Sequence, residues 1–363
     1  MTTHMKGTSR RGYLDLPHGQ VHYREAGRSG APALVVLHQS PLSSATYEPV
    51  MELLAGHGIQ VVALDTPGFG MSDATPGQWS MSEYAASVWQ AVDALGLGTV
   101  HLLGQHTGAL IAAEAALSGR ERVSGLIFQG IPLYTDEERA EKAETYAPSY
   151  TTDADGGHLK VIWDRIRGLY PTISADSASR QVAEYLSVGP NYGVAYPAVF
   201  RYQVDPAALA GIPTLLLHGT EDVLDRMNDV VTAAFPHAPL VTIPGGTDFV
   251  AEEQPEVFAA AVAEHVPVHA RVHGDGRRRR RTRWHGPLAD RSARRAGRGR
   301  RGAMSRLPEP FERSCPRPAS PRVSAGPSVR PRAGSGSRPV RSPSPRRSTL
   351  VQPPAGGRLL PSG

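Results

Sequence analysis

Cysteine is almost absent from this 363-residue chain, and the single one, Cys315, lies far toward the carboxyl end. Residues 1–270 therefore contain no disulfide, no cysteine nucleophile and no thiolate ligand for a metal ion. No apolar run is long enough to cross a bilayer, and residues 1–11 are too polar to contain the apolar segment of a secretory signal. We therefore expect a soluble cytoplasmic protein that has no membrane partner.

Lysine is also scarce, because only Lys6, Lys142 and Lys160 occur, and the positive charge is unevenly distributed. Residues 1–270 contain 15 basic and 30 acidic side chains, whereas residues 271–363 contain 24 arginines and 4 acidic side chains. The net charge of +5 thus describes neither region. We predict one folded domain over residues 1–270 and a disordered tail, rich in Arg, Pro, Ser and Gly, over residues 271–363.

The arginine-rich tail offers the only route by which we expect this chain to bind a nucleic acid. Its run Arg277–Arg281 would contact phosphates, but Trp284 and Phe311 are its only aromatic residues, which leaves little to stack on bases. Alternatively, the tail is a dispensable extension, since arginine without lysine is typical of GC-rich DNA read through or out of frame. We favour this second interpretation.

Short apolar runs alternate with helical patterns along the predicted domain. Residues 19–25 alternate in polarity like a half-exposed strand of a hairpin, and the apolar runs have the length of strands buried on both faces. These runs are residues 33–37, 59–64, 100–103, 126–128 and 213–217. Helical spacing covers residues 82–95 and 109–117. The alternation predicts an α/β fold with a mostly parallel sheet and helices on both faces.

Residues 133–205 interrupt this alternation with irregularly spaced Tyr, Trp and Pro residues and a charged helix start at Asp136–Arg139. An insertion of this size between two strands predicts a helical lid. The alternative is an ordinary helical excursion that has no gating role.

The segment Gly104-Gln105-His106-Thr107-Gly108 joins a predicted strand to a predicted helix. Its pattern is that of a nucleophile elbow, a sharp turn that pushes the middle side chain into the site and turns the next N–H towards an oxyanion. His106 therefore stands in the nucleophile position, and Thr107 supplies an N–H for the oxyanion.

Three further motifs occur along the chain. They are His38-Gln39-Ser40-Pro41, the loop Asp65–Ser72 with the pattern D-x-P-G-x-G-x-S, and His218-Gly219-Thr220-Glu221-Asp222. With the elbow, they make residues 12–268 resemble the α/β-hydrolase superfamily, and most of all its epoxide-hydrolase-like branch, which has a lid. The resemblance implies that the N–H of Ser40 completes the oxyanion site beside Thr107, and that Asp222 is the triad acid.

The last motif of the family departs from its usual pattern. Residues 243–249 read Ile-Pro-Gly-Gly-Thr-Asp-Phe where the family has I-P-x-x-G-H, and residues 252–258 match the family again. Asp248 therefore occupies the place of the triad base, and the predicted triad is His106, Asp222 and Asp248. A loop or helix-capping carboxylate is the alternative role for Asp248.

These replacements remove both the serine and the base that ordinary acyl transfer requires. Two carboxylates beside one imidazole favour its protonated form, and their mutual repulsion favours a proton on one of them. His106 would then act as a positioned acid or base, while the N–H groups of Ser40 and Thr107 stabilise an enolate or alkoxide. We predict a cyclase, isomerase, decarboxylase or lyase that acts on a small, largely apolar carbonyl compound.

Three other functions fit the same residues: a hydrolase in which His106 activates water or forms a transient adduct, a non-catalytic small-molecule-binding protein, and a metal site formed by the triad. We expect neither a metal nor a cofactor, since the elbow is shaped to present a side chain to substrate. The candidate substrate-binding residues are His38, Gln39, Gln105 and Gln129. For the three glutamines, a surface or backbone-capping role is an equal alternative.

Overall fold

The computed structural model describes residues 9–267 of the chain. The predicted arginine-rich tail, its alternative roles and the boundary placed at residue 270 lie outside the described residues. Among residues 9–267, no helix combines the length and the apolar character that crossing a bilayer requires.

Eight strands form a single sheet. They are β1 (Arg10–Leu16), β2 (Gly19–Ala26), β3 (Ala33–Leu37), β4 (Gln60–Leu64), β5 (Val100–Gln105), β6 (Val123–Gln129), β7 (Thr214–Gly219) and β8 (Leu240–Ile243). Their order in the sheet is β1-β2-β4-β3-β5-β6-β7-β8. Strand β2 pairs antiparallel with β1 and β4, whereas all the other pairings are parallel. The predicted α/β fold with a mostly parallel sheet is therefore confirmed.

The central strands are buried along their whole length. No residue of β3, β4 or β5 is exposed, because helices cover both faces of the sheet. The apolar pattern does not reveal β1 or β8. Most residues of β1 are at least partly exposed and polar residues interrupt it, and β8 has only four residues, three of them at least partly exposed.

Ten α-helices accompany the strands within residues 9–267. They are α1 (Glu48–Gly56), α2 (Met81–Ala94), α3 (Thr107–Ser118), α4 (Asp136–Thr145), α5 (Gly157–Leu169), α6 (Ala175–Val188), α7 (Tyr196–Arg201), α8 (Asn228–Ala234), α9 (Val250–Glu253) and α10 (Pro255–His265). One hydrophobic core includes Tyr84 of α2 and Ile111 of α3, and a second includes Met51 of α1 and Phe258 of α10. The sheet is thus the middle layer of three.

The segment between β6 and β7, residues 130–213, contains α4 to α7 and is called the insertion. Ile166 of α5 and Tyr185 of α6 belong to a third hydrophobic core. This core also includes Leu42, from the loop after β3, and Phe249, from the loop after β8. The insertion therefore packs on loops that follow the carboxyl ends of parallel strands, which is where α/β folds place their sites.

Asp65, directly after β4, is a buried charge that holds several loops together. Its carboxylate accepts hydrogen bonds from Nδ1 of His22 at 2.8 Å and from the N–H groups of Ser44 at 2.7 Å and Met71 at 2.8 Å. Gly70 has a φ of +58°, and a Cβ there would collide with this carboxylate. The D-x-P-G-x-G-x-S loop thus fixes its own turn against β2 and against the loop after β3.

Replacing Asp65 by alanine should lower the free energy of unfolding by about 3–5 kcal/mol, because a buried histidine and two N–H groups lose their partner. Urea unfolding at pH 7 measures this loss.

Burial would raise the pKa of Asp65, but His38 and the hydrogen bonds from Ser44 and Met71 hold it below its ordinary value. The stabilisation is therefore present at neutral pH and is lost as the pH falls.

Asp164→Ala is the matched control, since it removes only an exposed ion pair with Lys160 on the surface of α5. It should cost less than about 1 kcal/mol. Equal losses for the two variants would contradict the role given to Asp65.

Candidate active site

The nucleophile elbow lies where β5 passes into α3. His106 has a φ of +47° and a ψ of −107°, and among residues 9–267 it is the only non-glycine residue with a positive φ. A Cβ at Gly104 would overlap the carbonyl group of Gly108, and a Cβ at Gly108 would overlap that of Leu37. Backbone strain of this kind costs about 1–3 kcal/mol, and it persists where the surrounding structure fixes it. The strained turn directs the side chain of His106 into the site.

The imidazole of His106 lies between the two carboxylates of the predicted triad. Its Nε2 is 3.1 Å from both oxygens of Asp222, which follows β7, and its Nδ1 is 3.7 Å from Oδ2 of Asp248, which follows β8. The ring also lies against Gly130, where a Cβ would come within 2.7 Å of Nε2. The structure thus brings His106, Asp222 and Asp248 together and leaves room for the ring only because residue 130 is glycine.

Backbone groups hold both carboxylates in place. Oδ1 of Asp222 accepts the N–H of Leu224 at 2.7 Å, and Oδ1 of Asp248 accepts the N–H of Val223 at 3.0 Å. Asp248 therefore joins its own loop to the loop after β7, while Phe249 is the residue at the cap position of α9. These contacts do not support a helix-capping role for Asp248.

Two of the glutamines proposed from the sequence to bind substrate hold the backbone of Asp248 instead. Nε2 of Gln129 donates to the carbonyl oxygen of Asp248 at 3.0 Å, and Nε2 of Gln105 donates to the same oxygen. The hydroxyl of Tyr47 donates to Oε1 of Gln105 at 3.2 Å. Because both glutamines are fully buried, we propose that they position Asp248 and do not contact substrate.

His38 and Gln39, the other candidates for substrate binding, are also buried. Nδ1 of His38 donates to the carbonyl oxygen of Gln39 at 2.9 Å, and Nε2 accepts the N–H of Thr66 at 2.9 Å. Burial lowers the pKa of His38, which favours the neutral ring that this pair of hydrogen bonds requires. His38 therefore joins the loop after β3 to the loop after β4, and backbone groups occupy both of its ring nitrogens.

The predicted oxyanion site draws on Thr107 and Ser40. Thr107 is the first residue of α3, so its N–H has no acceptor within the helix and lies at the positive end of the helix dipole. Ser40 is buried in the loop after β3, and its carbonyl oxygen accepts the hydroxyl of Tyr196 from α7 at 2.9 Å. This hydrogen bond ties the loop of Ser40 to the insertion.

The three side chains of the triad shift one another's pKa values. Burial would lower the pKa of His106, but the charges of Asp222 and Asp248 outweigh it and raise that pKa to about 9. Burial would raise the pKa of Asp222, but the charge of His106 and its hydrogen bond keep it below its ordinary value. Burial and the charge of Asp222 raise the pKa of Asp248 to about 7. At neutral pH the imidazole is therefore protonated, and Asp248 is present in both its protonated and its ionised form.

Within the predicted triad, the imidazole is the most exposed side chain. The side chain of His106 is 12 % exposed, against 2 % for Asp222 and 0 % for Asp248. Nδ1 of His106 makes no hydrogen bond to the described residues, and Oδ2 of Asp248 is buried without one. These two atoms lie 3.7 Å apart.

Tyr170, directly after α5, is a site residue that the sequence does not reveal. Its ring packs edge-to-face on Phe249 with the centroids 4.8 Å apart, and its hydroxyl acts to lower the pKa of Asp248. The irregular spacing of tyrosines in the insertion gives no signal for it. Gly130 also goes unrecognised, although a glycine directly after a predicted strand is a sequence feature that could have indicated it.

His106, Asp222 and Asp248 can each offer a ligand atom within 4.8 Å of the others, a spacing that a metal ion could span. The two carboxylates, however, flank opposite nitrogens of the ring. A metal would also have to displace the proton that His106 holds up to a pH of about 9. We therefore propose that this cluster binds a proton and not a metal ion.

Known proteins resemble this chain in sequence and in fold. The family model described as alpha/beta hydrolase fold matches residues 32–255. Haloalkane dehalogenase 2 of Mycobacterium tuberculosis is 27% identical over 270 residues, which cover 69% of this chain and 93% of that protein. A 2-hydroxy-6-oxononadienedioate/2-hydroxy-6-oxononatrienedioate hydrolase of Burkholderia vietnamiensis is 37% identical over 115 residues, 31% of this chain and 40% of the relative.

Among solved structures, epoxide hydrolase A of Mycobacterium thermoresistibile superposes with a TM-score of 0.57 at 19% identity, covering 71% of this chain and 98% of that one. The chain belongs to the α/β-hydrolase fold family. The resemblance predicted from the four sequence motifs is therefore confirmed, and the named relatives are enzymes.

Replacing either triad carboxylate by its amide should lower the pKa of His106, because each change removes a negative charge from beside the ring. Asp222→Asn should lower it more than Asp248→Asn, since Asp222 contacts Nε2 directly at 3.1 Å. NMR titration of the His106 ring in chains with isotope-labelled histidine measures both shifts.

Asp225→Asn is the control from the same loop as Asp222, and it removes a 2.8 Å contact with His218. The titration of His106 should be unchanged in this variant. A pKa of His106 near 6.5 in the unaltered chain would contradict the arrangement.

Proposed function

We propose that this chain is an enzyme that transfers protons next to the carbonyl group of a small, largely apolar substrate, as a cyclase, isomerase, decarboxylase or lyase does. The observation that carries the proposal is the pair formed by Nδ1 of His106 and Oδ2 of Asp248. These atoms lie 3.7 Å apart, and Oδ2 of Asp248 is buried with no hydrogen-bond partner among the described residues. The imidazolium of His106 can act as an acid. The carboxylate of Asp248, whose pKa is about 7, can act as the base that takes its proton near neutral pH.

Acyl transfer through the elbow is disfavoured by the same geometry. A protonated imidazole carries hydrogen on both ring nitrogens, so it has no free electron pair with which to attack a carbonyl carbon. In the family pattern a histidine after β8 activates the nucleophile, and Asp248 stands there in this chain. Serine-type hydrolysis would therefore lack both its nucleophile and its base.

In the proposed reaction, Asp222 fixes the ring through Nε2–H, and Nδ1–H donates its proton to the carbonyl oxygen or to a carbon that gains negative charge. In the opposite direction, Oδ2 of Asp248 first takes the proton of Nδ1, and the freed nitrogen then accepts one from the substrate. The N–H groups of Ser40 and Thr107 stabilise the charge that develops on oxygen. Nδ1–H then donates that proton to another atom of the substrate, and the proton that Asp248 holds returns to Nδ1, so the triad ends the cycle with the protons it had at the start.

The names of the relatives support a small-molecule substrate. By its name, the relative from Burkholderia vietnamiensis acts on a hydroxy-oxo-dioate, which is a carbonyl compound. We carry over this class of substrate and not the hydrolysis, because residues 106 and 248 depart from the family pattern.

We also propose that the insertion acts as a lid over this site. The hydroxyl of Tyr196 donates to the carbonyl oxygen of Ser40 at 2.9 Å, and the hydroxyl of Ser43 donates to Glu184 of α6 at 2.8 Å. Polar contacts of this kind can separate to admit a substrate and form again behind it. Closure would exclude water and so protect an enolate from unwanted protonation.

Exchange of α-protons for deuterium, followed by ¹H NMR in D₂O, tests the proposed reaction without knowledge of the natural substrate. With a panel of cyclic ketones, 1,3-diketones and oxo acids, the unaltered chain should accelerate exchange in at least some members. His106→Ala should reduce this rate on the order of 100-fold or more, the usual contribution of a general acid or base. The rate should also rise as the pH rises through about 7, because Asp248 must be ionised to take the proton of Nδ1.

Asp225→Asn should leave the exchange rate unchanged and serves as the control. Hydrolysis of p-nitrophenyl acetate that requires His106 would instead identify an atypical hydrolase. Binding of the same compounds without any exchange would identify a non-catalytic binding protein, and loss of activity with EDTA would identify a metal site.

The double variant His106→Ser/Asp248→His should acquire esterase activity, because it restores the serine and the base while Asp222, Ser40 and Thr107 stay in place. Turnover of p-nitrophenyl acetate measures the gain. His106→Ser alone should show no such activity, since its serine has no base beside it. Equal activity of the single and the double variant would contradict the position assigned to Asp248.

A further inference from the structure

Arg165 of α5 carries a positive charge that no carboxylate balances. It is half-buried, and it takes part in none of the ion pairs within residues 9–267. Its Nη2 donates to the carbonyl oxygen of Tyr146 at 2.7 Å, whereas its Nε–H is buried without a partner. A buried donor left unpaired destabilises the fold, so the hydrogen bonds within the chain leave part of this guanidinium unsatisfied.

Tyrosine side chains surround this guanidinium. Its carbon Cζ lies 5.4 Å from the ring centroid of Tyr146 and 5.6 Å from that of Tyr192, and the hydroxyl of Tyr185 interacts with it as well. Burial raises the pKa of Tyr146 and of Tyr185, so both hydroxyls remain protonated and able to donate. Aromatic faces and hydroxyl donors around a guanidinium suit an anionic oxygen group attached to an apolar body.

The same tyrosines connect Arg165 to the triad. The charges of Arg165 and of Asp248 both act on the hydroxyl of Tyr146. The rings of Tyr146 and Tyr196 meet edge-to-face with centroids 4.9 Å apart, and Tyr196 donates to Ser40 in the predicted oxyanion loop. A chain of contacts therefore runs from Arg165, through Tyr146 and Tyr196 of the insertion, to the loop of Ser40.

The charges at the two ends of this chain of contacts differ. At the triad, the charge of Asp222 offsets the imidazolium of His106, and any ionised fraction of Asp248 adds negative charge. The triad therefore has no net positive charge with which to attract an anion. Arg165 supplies an unbalanced positive charge at the opposite end.

We infer that Arg165 is a specificity-determining residue that binds a carboxylate of the substrate, remote from the carbonyl group that reacts at His106. Its unpaired Nε–H would donate to one carboxylate oxygen, and a neighbouring tyrosine hydroxyl would donate to the other. This inference rests on the proposed function and narrows its substrate class to small oxo acids with an apolar body.

Two probes of the same shape, phenylacetate and phenylacetamide, test the inference on the full-length chain by isothermal titration calorimetry. The unaltered chain should bind phenylacetate about tenfold or more tightly than phenylacetamide, because only the carboxylate offers a charge to Arg165. Arg165→Met keeps the length of the side chain and should abolish this preference, whereas Arg165→Lys should keep part of it. Arg180→Met, which removes an ion pair between α6 and Glu252, should keep all of it.

His106→Ala distinguishes the two cations that an anionic probe could meet. Retention of the preference for phenylacetate in this variant supports Arg165, and its loss would place the anion at the imidazolium and overturn the inference. Equal affinities of the unaltered chain for the two probes, or no measurable binding of phenylacetate, would also overturn it. Thermal unfolding verifies that each variant is folded. If Arg165→Met does not fold, the separate variants Arg165→Lys and His106→Ala decide the question.

Binding is measured without turnover, so the two proposals can fail separately. A preference for phenylacetate that depends on Arg165, in a chain that exchanges no α-protons, would overturn the proposed reaction and leave the carboxylate site standing. Exchange that depends on His106, in a chain that binds the two probes equally, would overturn the carboxylate site and leave the proposed reaction standing.

Discussion

The contact between Nε2 of His106 and the carboxylate of Asp222 is the interaction on which the rest of this site depends. In the family pattern the triad acid binds an imidazole from the loop after the last strand, whereas here Asp222 binds one from the elbow, 3.1 Å away. The strained backbone of His106 and the missing side chain at Gly130 follow from this requirement, since together they let the ring reach Asp222. Because the elbow supplies the imidazole, residue 248 need not be a histidine. The carboxylate of Asp248 helps to keep the ring of His106 protonated.

A network of buried polar side chains supports this arrangement from behind. Gln105 and Gln129 hold the backbone of Asp248, His38 joins two loops through its ring nitrogens, and Asp65 fixes the loops near β2 and β4. Most of these bonds end on backbone groups, so the network fixes loop positions without adding reactive groups. The proposed chemistry therefore involves only the few atoms on the exposed side of His106.

Much of the fold could be predicted because fully buried strands leave apolar runs and the elbow leaves a glycine pattern. The members of the triad follow from motifs that sit directly after strands, where the fold determines which residues meet. The side-chain partners could not be predicted: a glutamine such as Gln129 has the same letter whether it faces a substrate or a carbonyl group. Tyr170 could not be predicted because packing within the insertion, not sequence spacing, brings its ring to Phe249 and its hydroxyl towards Asp248.

The place of the His106 ring has a consequence for how such a site can evolve. A histidine at residue 248 would bring a second imidazole towards a carboxylate that already has one, and the crowded pair would share a single acid. A serine at residue 106 with Asp248 unchanged would leave no imidazole at all. Neither single change gives the pair found here or the pair of the family pattern. We therefore expect residues 106 and 248 to change together, or through an inactive ancestor.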